Sequence, residues 1–295
     1  MDRTRLLRRL LLAAAAIAAL SAGGCAMLEA KQRELIFRPN KESYGIPADY
    51  GLAFEELWLE VKRSGAEVER VHGWWMAAEE ADAPALLYLH GARRNISNNL
   101  FRIAGLRRMG FSVLAIDYRG FGLSDGELPS ENQTYEDAQA AWEEFKRRVP
   151  DPRKRIIYGH SLGGAVAIDL AVRNPDAAGL IAESTLTSIR DMVDLSPYRF
   201  LPVGLIQTQY YDSLAKVGSL RVPVLFVHGA ADRWVPPSMS ERLYAAAPEP
   251  KKLLLVENAG HSNSLWVAPQ AYRRALREFS ALARQAALSL RPSRP

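Results

Sequence analysis

The 295-residue sequence contains a single cysteine, Cys25. Without a second thiol the chain cannot form an intramolecular disulfide, so its fold has to be stable without one in any redox compartment. The sequence also lacks paired cysteines and the closely spaced histidines and glutamates that hold zinc and similar ions. We therefore predict no metal site and no cofactor.

The sequence has no large excess of one charge in its globular part. Its formal net charge is +5, and the first ten residues, with four arginines and one aspartate, supply +3 of it. The other basic residues are scattered among acids and form no basic stripe, so no nucleic-acid partner is expected. With 48% hydrophobic and 24% charged residues, the composition is that of a globular protein with a sizeable core.

The longest apolar run, Leu10–Leu20, has eleven residues, too few to span a bilayer comfortably, because a transmembrane helix needs about 20. It follows the arginine-rich "MDRTRLLRRL" and precedes "SAGGC", an arrangement typical of an export signal. The stretch resembles a bacterial lipoprotein signal peptide with Cys25 as the lipidated residue, although Ala22 stands where the strict motif has leucine. The alternatives are an ordinary cleaved export signal or an uncleaved anchor, in which Cys25 would have no role.

This pattern predicts a signal peptide over 1–24, a lipidated linker over 25–34 and one globular domain over 35–290. A lipidated chain would be exported to the cell envelope and held at a bacterial membrane surface. Because Ala26 and not aspartate follows the cysteine, the pattern resembles that of outer-membrane lipoproteins.

From Ala85 onward, short apolar runs alternate with stretches of helical composition. Apolar strands separated by helices indicate a mostly parallel sheet buried on both faces, an α/β architecture. We predict strands at Ala85–His90, Phe111–Asp117, Arg155–Gly159, Gly179–Ser184, Val222–Gly229 and Lys251–Glu257. Ahead of them, "EELWLEVKR" and "VHGWWMA" predict an antiparallel hairpin. A stretch of about 185–212, with three tyrosines and no clean strand, predicts a small cap segment.

The motif "GHSLG", Gly159 to Gly163, directly follows an apolar strand and directly precedes an apolar helix. A strand that turns sharply into a helix brings backbone atoms on both sides of the central residue too close for side chains, which requires glycine there. The central residue is then held in a strained conformation that projects the Ser161 hydroxyl above the sheet. This context predicts a nucleophilic serine.

A serine hydroxyl needs a base to activate it and a group that orients the base. His261 lies just past the last apolar strand, at the sheet edge that also carries Ser161, and it is the predicted base. The other four histidines are predicted to be structural: His72 in the hairpin, His90 and His228 at strand ends, and His160 beside the serine.

Asp232 is the predicted orienting acid, on the loop that follows the preceding strand at the same sheet edge. The chain order Ser161, Asp232, His261 is the Ser…Asp…His order found on this kind of sheet. The carboxylate would fix the imidazole tautomer and stabilise the imidazolium. Glu183, which follows another strand, is the alternative acid.

Two backbone N–H groups are predicted to bind the developing oxyanion. Leu162 opens the helix after the serine, where unpaired N–H groups and the helix dipole favour negative charge. The second donor should come from "HGARRN", after the first parallel strand; we predict the Ala92 N–H, with Arg93 as the alternative.

Five segments of the chain form an ordered set: "LYLHGARRNIS", "LAIDYRGFGLSDGELPSENQTYEDAQAAW", "GHSLGG", "VPVLFVHGAADRWVP" and "AGHSN". In order and spacing they resemble the α/β-hydrolase serine hydrolases of the ABHD12, ABHD13 and ABHD17 type and their bacterial relatives, from about Leu35 to Phe279. One departure is "HGARRN", where members commonly carry a small pair such as Asn-Ala after His-Gly. The resemblance implies acyl ester or thioester substrates, lipids among them.

Two other functions stay open on the sequence. A serine peptidase or amidase would use the same three side chains, because they also attack an amide. A non-catalytic cell-envelope binding protein would keep the fold alone, but the intact Ser161, Asp232 and His261 argue against it.

The lipoprotein hypothesis makes a direct prediction at Cys25. We expect the mature protein from its natural host to begin at this residue, to carry the mass of acyl chains, and to partition into detergent because several acyl chains give a stable anchor. Intact mass and phase partitioning of wild type and Cys25→Ser test this. A mature wild-type chain of unmodified mass would contradict it.

Overall fold

The computed structural model describes residues 23–62, 68–197, 199–200 and 203–289. Its strands are β1 (Glu55–Lys62), β2 (Val68–Met76), β3 (Ala85–Leu89), β4 (Ser112–Ile116), β5 (Arg155–His160), β6 (Gly179–Glu183), β7 (Val224–Gly229) and β8 (Lys251–Val256). They form one sheet in the order β1-β2-β4-β3-β5-β6-β7-β8. β2 is antiparallel to β1 and β4, whereas β3 to β8 pair in parallel. The predicted α/β architecture and its N-terminal hairpin are confirmed.

Ten helices accompany the sheet in the described part of the chain. They are α1 (23–37), α2 (Leu100–Arg108), α3 (Glu131–Arg148), α4 (Leu162–Arg173), α5 (Ile189–Asp194), α6 (Val203–Ile206), α7 (Ser213–Val217), α8 (Pro237–Ala246), α9 (Ser264–Val267) and α10 (Pro269–Ser289). Helix α3 begins at Glu131, directly after Ser130, and Ser130 and Gln133 form a reciprocal capping box at its start. None of the described helices combines the length and the apolar character that a membrane span requires.

The two faces of the sheet bury separate hydrophobic cores. One face packs against α3 and α4, with Leu87, Ile157 and Phe226 pointing toward them. Their sequence neighbours point the opposite way, and Leu86 and Leu225 pack against α2 and α10. Both side-chain directions of each central strand are therefore apolar, which is why these strands read as continuous hydrophobic runs.

The segment predicted as a linker over 25–34 lies within α1, while residues 1–22 lie outside the described residues. Helix α1 is held by polar contacts to distant segments: the Gln32 amide donates to the Ile206 carbonyl at 2.7 Å, and the Arg33 Nε donates to the Pro129 carbonyl at 2.8 Å. Cys25 is exposed near the start of this helix. Helix α1 thereby joins the globular domain instead of leaving it.

The cap segment predicted over about 185–212 contains α5 and α6. Its two ends meet, because the Ile189 N–H donates to the Tyr210 carbonyl at 2.9 Å. The Glu131 carboxylate accepts the Tyr211 N–H at 2.9 Å and so ties the returning end to the start of α3. The cap therefore extends from the carboxyl edge of the sheet as a closed excursion.

Backbone packing at the start of α4 gives a prediction for stability. A Cβ atom on Gly163 would lie 2.2 Å from the Leu89 carbonyl oxygen and 2.4 Å from that of His90, so Gly163→Ala must push β3 away from the helix. We expect it to lower the free energy of unfolding by roughly 2 kcal/mol or more, as overpacking does. Urea unfolding followed by circular dichroism measures this.

Gly218→Ala is the matched control. Gly218 has helical backbone angles, and the nearest atom to an added Cβ is 3.7 Å away, so this substitution should leave the unfolding midpoint unchanged or slightly raised. Equal midpoints for the two alanine variants would contradict this prediction, because they would show that the turn accommodates a Cβ atom at Gly163.

Candidate active site

Ser161 occupies the turn between β5 and α4 with φ 56° and ψ −125°, a left-handed conformation that side-chain-bearing residues rarely adopt. Two hydrogen bonds hold it there: the Ser161 N–H donates to the Glu183 carbonyl at 2.8 Å, and the Thr185 hydroxyl donates to the Ser161 carbonyl at 2.9 Å. A Cβ on Gly159 would lie 2.1 Å from the Gly163 carbonyl oxygen, so the turn closes only with glycine at that end. The geometry accounts for the glycine spacing of the motif.

The structure brings Ser161, His261 and Asp232 into one line. The Ser161 Oγ lies 2.9 Å from the His261 Nε2, and the His261 Nδ1 lies 2.7 Å from the Asp232 Oδ2. Because Nδ1 faces a carboxylate, it carries the imidazole proton, which leaves Nε2 free to accept the serine proton. Their loops follow β5, β8 and β7, whose carboxyl ends meet at one edge of the sheet.

The Asp232 carboxylate is buried and fully engaged by donors. Its Oδ1 accepts the backbone N–H groups of Trp234 and Val235 at 2.8 and 3.1 Å, and its Oδ2 also lies 3.2 Å from the His228 Nε2. Burial alone would raise the pKa of Asp232, but the hydrogen bonds from His228 and His261 hold it well below its usual range. The carboxylate therefore remains ionised beside the imidazole.

His228 supports Asp232 from behind the site. Its Nε2 faces two acceptors, the Asp232 Oδ2 and the Val235 carbonyl oxygen at 3.0 Å, so Nε2 carries the proton. Its Nδ1 then accepts a hydrogen bond from the Ser240 hydroxyl at 2.6 Å. The sequence identified this histidine only as a strand-end residue, since a contact with a carboxylate four positions later has no signal in the pattern.

The loop that carries His261 rests on buried donors. The His160 Nε2 lies 2.9 Å from the His261 carbonyl oxygen, and the Arg102 guanidinium donates to the Ser262 carbonyl at 3.0 Å. Burial, the positive charge of Arg102 and the neighbouring His261 together hold the pKa of His160 well below its usual range, so this imidazole is a neutral donor. These two residues fix the backbone on which His261 stands, and the sequence analysis missed both roles.

Glu183, the alternative acid, lies elsewhere. Its carboxylate accepts hydrogen bonds from the hydroxyls of Tyr158 and Tyr272 and lies 3.5 Å from the Arg102 Nε. This buried cluster sits below the His261 loop, and Glu183 makes no contact with the His261 imidazole. The carboxylate that contacts that imidazole is Asp232.

Ala92 and Leu162 line the same cleft as Ser161. Leu162 is the first residue of α4, so its N–H has no acceptor within the helix. The Arg93 N–H, the alternative donor, is occupied by the Phe37 carbonyl at 2.7 Å. Gly91 places this loop against the serine, since a Cβ there would lie 2.9 Å from the Ser161 Cβ.

The cleft around Ser161 has a volume of about 1180 Å³. Helix α1 and the cap segment form much of its apolar wall, which includes Leu28, Leu35, Leu186, Ile189, Met192 and Ile206. The indole of Trp234 lies parallel to the His261 imidazole, with 6.3 Å between ring centroids. In the described part of the chain, no group of three or more His, Cys, Asp or Glu side chains is placed to hold a metal ion.

The chain has relatives among known proteins. The chain is 34% identical over 267 residues to uncharacterized protein Rv2307c of Mycobacterium tuberculosis H37Rv, covering 90% of this chain and 92% of that protein. It is 30% identical over 268 residues to the alpha/beta hydrolase domain-containing protein WAV2 of Arabidopsis thaliana, covering 83% and 85%. The chain belongs to the α/β-hydrolase family.

A family profile and a solved structure agree with that assignment. Residues 81–213 match the Hydrolase_4 family, described as serine aminopeptidase, S33. The esterase Pf2001 of Pyrococcus furiosus superposes with a TM-score of 0.66 and 19% identity over 82% of this chain and 97% of the esterase. The likeness to the esterase concerns the fold of this α/β hydrolase, because the sequence identity is low.

The buried His160 predicts a pH dependence of stability. Because the folded protein keeps it neutral, the unfolded chain alone takes up a proton as the pH falls below about 6.5, so unfolding becomes easier toward acid. The loss is at most about 1.4 kcal/mol per pH unit for one histidine. We expect wild type to lose more free energy of unfolding between pH 7 and pH 5 than His160→Asn does.

Urea titrations at pH 5, 6, 7 and 8 measure this difference. Carboxylates that titrate in the same range are common to both proteins, so they cancel in the comparison. Parallel stability curves for the two proteins would mean that His160 is charged in the folded state.

Proposed function

We propose that this α/β hydrolase cleaves carboxylic ester or thioester bonds through an acyl-enzyme on Ser161. The observation that carries the proposal is the unbroken line of contacts from the Ser161 Oγ through the His261 imidazole to the buried Asp232 carboxylate, at 2.9 and 2.7 Å. Each group has the partner that its role requires, and Asp232 is held ionised.

In the first step the Ser161 Oγ attacks the acyl carbon while the His261 Nε2 takes the serine proton. The negative charge that develops on the carbonyl oxygen is stabilised by the N–H groups of Leu162 and Ala92. The bond to the leaving oxygen or sulfur then breaks, and that atom receives the proton from His261. Asp232 stabilises the transient imidazolium throughout.

In the second step a water molecule attacks the acyl carbon of the ester on Ser161. His261 takes one proton from the water and returns it to the Ser161 Oγ as the acyl–serine bond breaks. The products are the carboxylic acid and the regenerated serine. The apolar wall of the cleft offers a binding surface for the acyl chain, and the fold is shared with a protein described as an esterase.

Amide cleavage is the second candidate, because the matching family profile is described as serine aminopeptidase. An aminopeptidase has to bind the protonated amino terminus of its substrate, for which a carboxylate is the natural partner. No aspartate or glutamate of the described residues lines the cleft. The charges in the cleft therefore favour the ester.

We also propose that the chain is exported and anchored by lipid at Cys25. The exposed position of Cys25 near the start of α1 is compatible with attachment to a membrane surface beside the cleft, which α1 helps to line.

The hydrolase proposal predicts the loss of activity in Ser161→Ala. We expect wild type to hydrolyse p-nitrophenyl butyrate and to be labelled by a fluorophosphonate probe, and Ser161→Ala to lose labelling and roughly 10³-fold or more in kcat, because the nucleophile is gone. Butyryl p-nitroanilide, the matched amide, is measured beside the ester. Faster turnover of the amide would favour the peptidase.

Ser219→Ala is the control, since Ser219 is exposed and lies outside the cleft. It should retain both labelling and turnover. Equal turnover by wild type and Ser161→Ala would refute the proposal, and a folded wild type that neither turns over the ester nor is labelled by the probe would favour a binding protein.

A further inference from the structure

All charged side chains that line the cleft, within the described residues, are cationic. They are Lys31, Arg38, Arg93 and Arg94. Lys31 is neutralised by Glu34 on the same helix, at 2.7 Å. The other three have no carboxylate of the described residues within ion-pair distance. Three guanidinium groups with no acid among the described residues that line the cleft suit it to a negatively charged ligand.

Arg93 is placed close to the reacting groups. Its guanidinium lies over the indole of Trp234, 5.3 Å from the ring centroid, and that indole lies parallel to the His261 imidazole. The cation–π contact orients the guanidinium without neutralising its charge. Trp234 therefore contacts both this cation and the His261 imidazole.

Arg38 is fixed near Arg93 by the backbone. The Arg93 N–H donates to the carbonyl of Phe37, the residue before Arg38. Burial lowers the pKa of Arg93 from its usual range, and the positive charge of Arg38 lowers it further, as expected for two cations that share one region without an acid. An anion bound here would relieve this repulsion.

The residues that line the rest of the cleft differ in polarity from one segment of the chain to another. Asn40, Tyr44 and Asn98 accompany the arginines, whereas Leu186, Ile189 and Met192 line the cleft from the cap segment. An acyl chain fits the apolar side chains of the cap segment, which leaves Arg38, Arg93 and Arg94 for the alcohol or thiol side of the ester.

We propose that the substrate cleaved at Ser161 carries an anionic group, a phosphate or a carboxylate, on its alcohol or thiol part, and that Arg93, Arg94 and Arg38 bind this group. The inference rests on the proposed hydrolase function and deepens it by assigning the leaving-group side. Guanidinium is suited to this role because its forked N–H groups pair with two oxygens of a phosphate or carboxylate.

Three esters with the same octanoyl chain test the proposal: the monoester of ethylene glycol, which is neutral, that of ethylene glycol phosphate, and that of glycolate. Each kcat/KM is divided by the rate of hydroxide hydrolysis of the same ester, which removes differences in intrinsic reactivity. We expect wild type to prefer at least one anionic ester about tenfold or more, as charge-assisted hydrogen bonds predict. The phosphate and carboxylate arms identify which anion is bound.

The double variant Arg93→Gln, Arg94→Gln should lose most of this preference, about tenfold in the ratio of anionic to neutral kcat/KM, chiefly through KM because ground-state binding is removed. The matched control is Arg273→Gln, Arg274→Gln, an adjacent exposed pair on α10 outside the cleft, which should keep the ratio. In wild type, raising NaCl to 1 M should also lower the ratio, because the screening length falls to about 3 Å.

The salt titration needs no variant, so the proposal stays falsifiable if the double variant does not fold. Equal normalised kcat/KM for the three esters, or a preference that neither salt nor the Arg93 and Arg94 substitutions reduce, would overturn it. Failure of the hydrolase proposal looks different: wild type would then hydrolyse none of the three esters, or their hydrolysis would persist unchanged in Ser161→Ala.

Discussion

The close approach of three backbones around Ser161 is the constraint on which the site depends. The turn at Gly159 and Gly163 leaves no room for a Cβ atom, and β3 and the loop after it press against the same turn from the side. This packing projects the hydroxyl from the sheet edge and presents the loop of Ala92 to it. Because the contacts are backbone to backbone, side-chain rearrangement cannot replace them, and the position of the Ser161 hydroxyl is set by the sheet itself.

The His261 imidazole is positioned by a different means, because its loop is held by hydrogen bonds from buried side chains. His261 stands beyond β8, where no strand ladder fixes the chain, and its orientation depends on hydrogen bonds to the two carbonyls of residues 261 and 262. One donor is neutral because it is buried, and the other is a guanidinium whose charge is balanced by the Glu183 carboxylate. The Ser161 hydroxyl, which the backbone turn fixes, thereby meets the His261 imidazole, whose loop is anchored in the core.

The sequence allowed predictions where the structural role of a residue depends on the residues next to it in the chain. Apolar strands, the glycine spacing and the positions of Asp232 and His261 after their strands are local patterns, so the fold and the three-residue line could be predicted. Arg102 and His228 could not, because neither the contact of Arg102 with the distant Ser262 carbonyl nor that of His228 with a carboxylate four positions later leaves a periodic signal. Helix α1 was predicted as a linker for the same reason: Gln32 contacts a segment 174 residues later.

Arginine occurs in two different environments in this molecule, buried beside a carboxylate and exposed along the cleft. Burial alone would lower the pKa of Arg102, but the Glu183 carboxylate raises it above its usual value, so this charge is satisfied within the protein and supports the His261 loop. Arg38 and Arg93 line the cleft, where water screens their repulsion; in bulk water two unit charges even 4 Å apart interact by only about 1 kcal/mol. This repulsion is weak enough for the free protein to tolerate. A bound anion would remove it. An arginine with no carboxylate partner among the described residues of the cleft is therefore a property of the site, not of the fold.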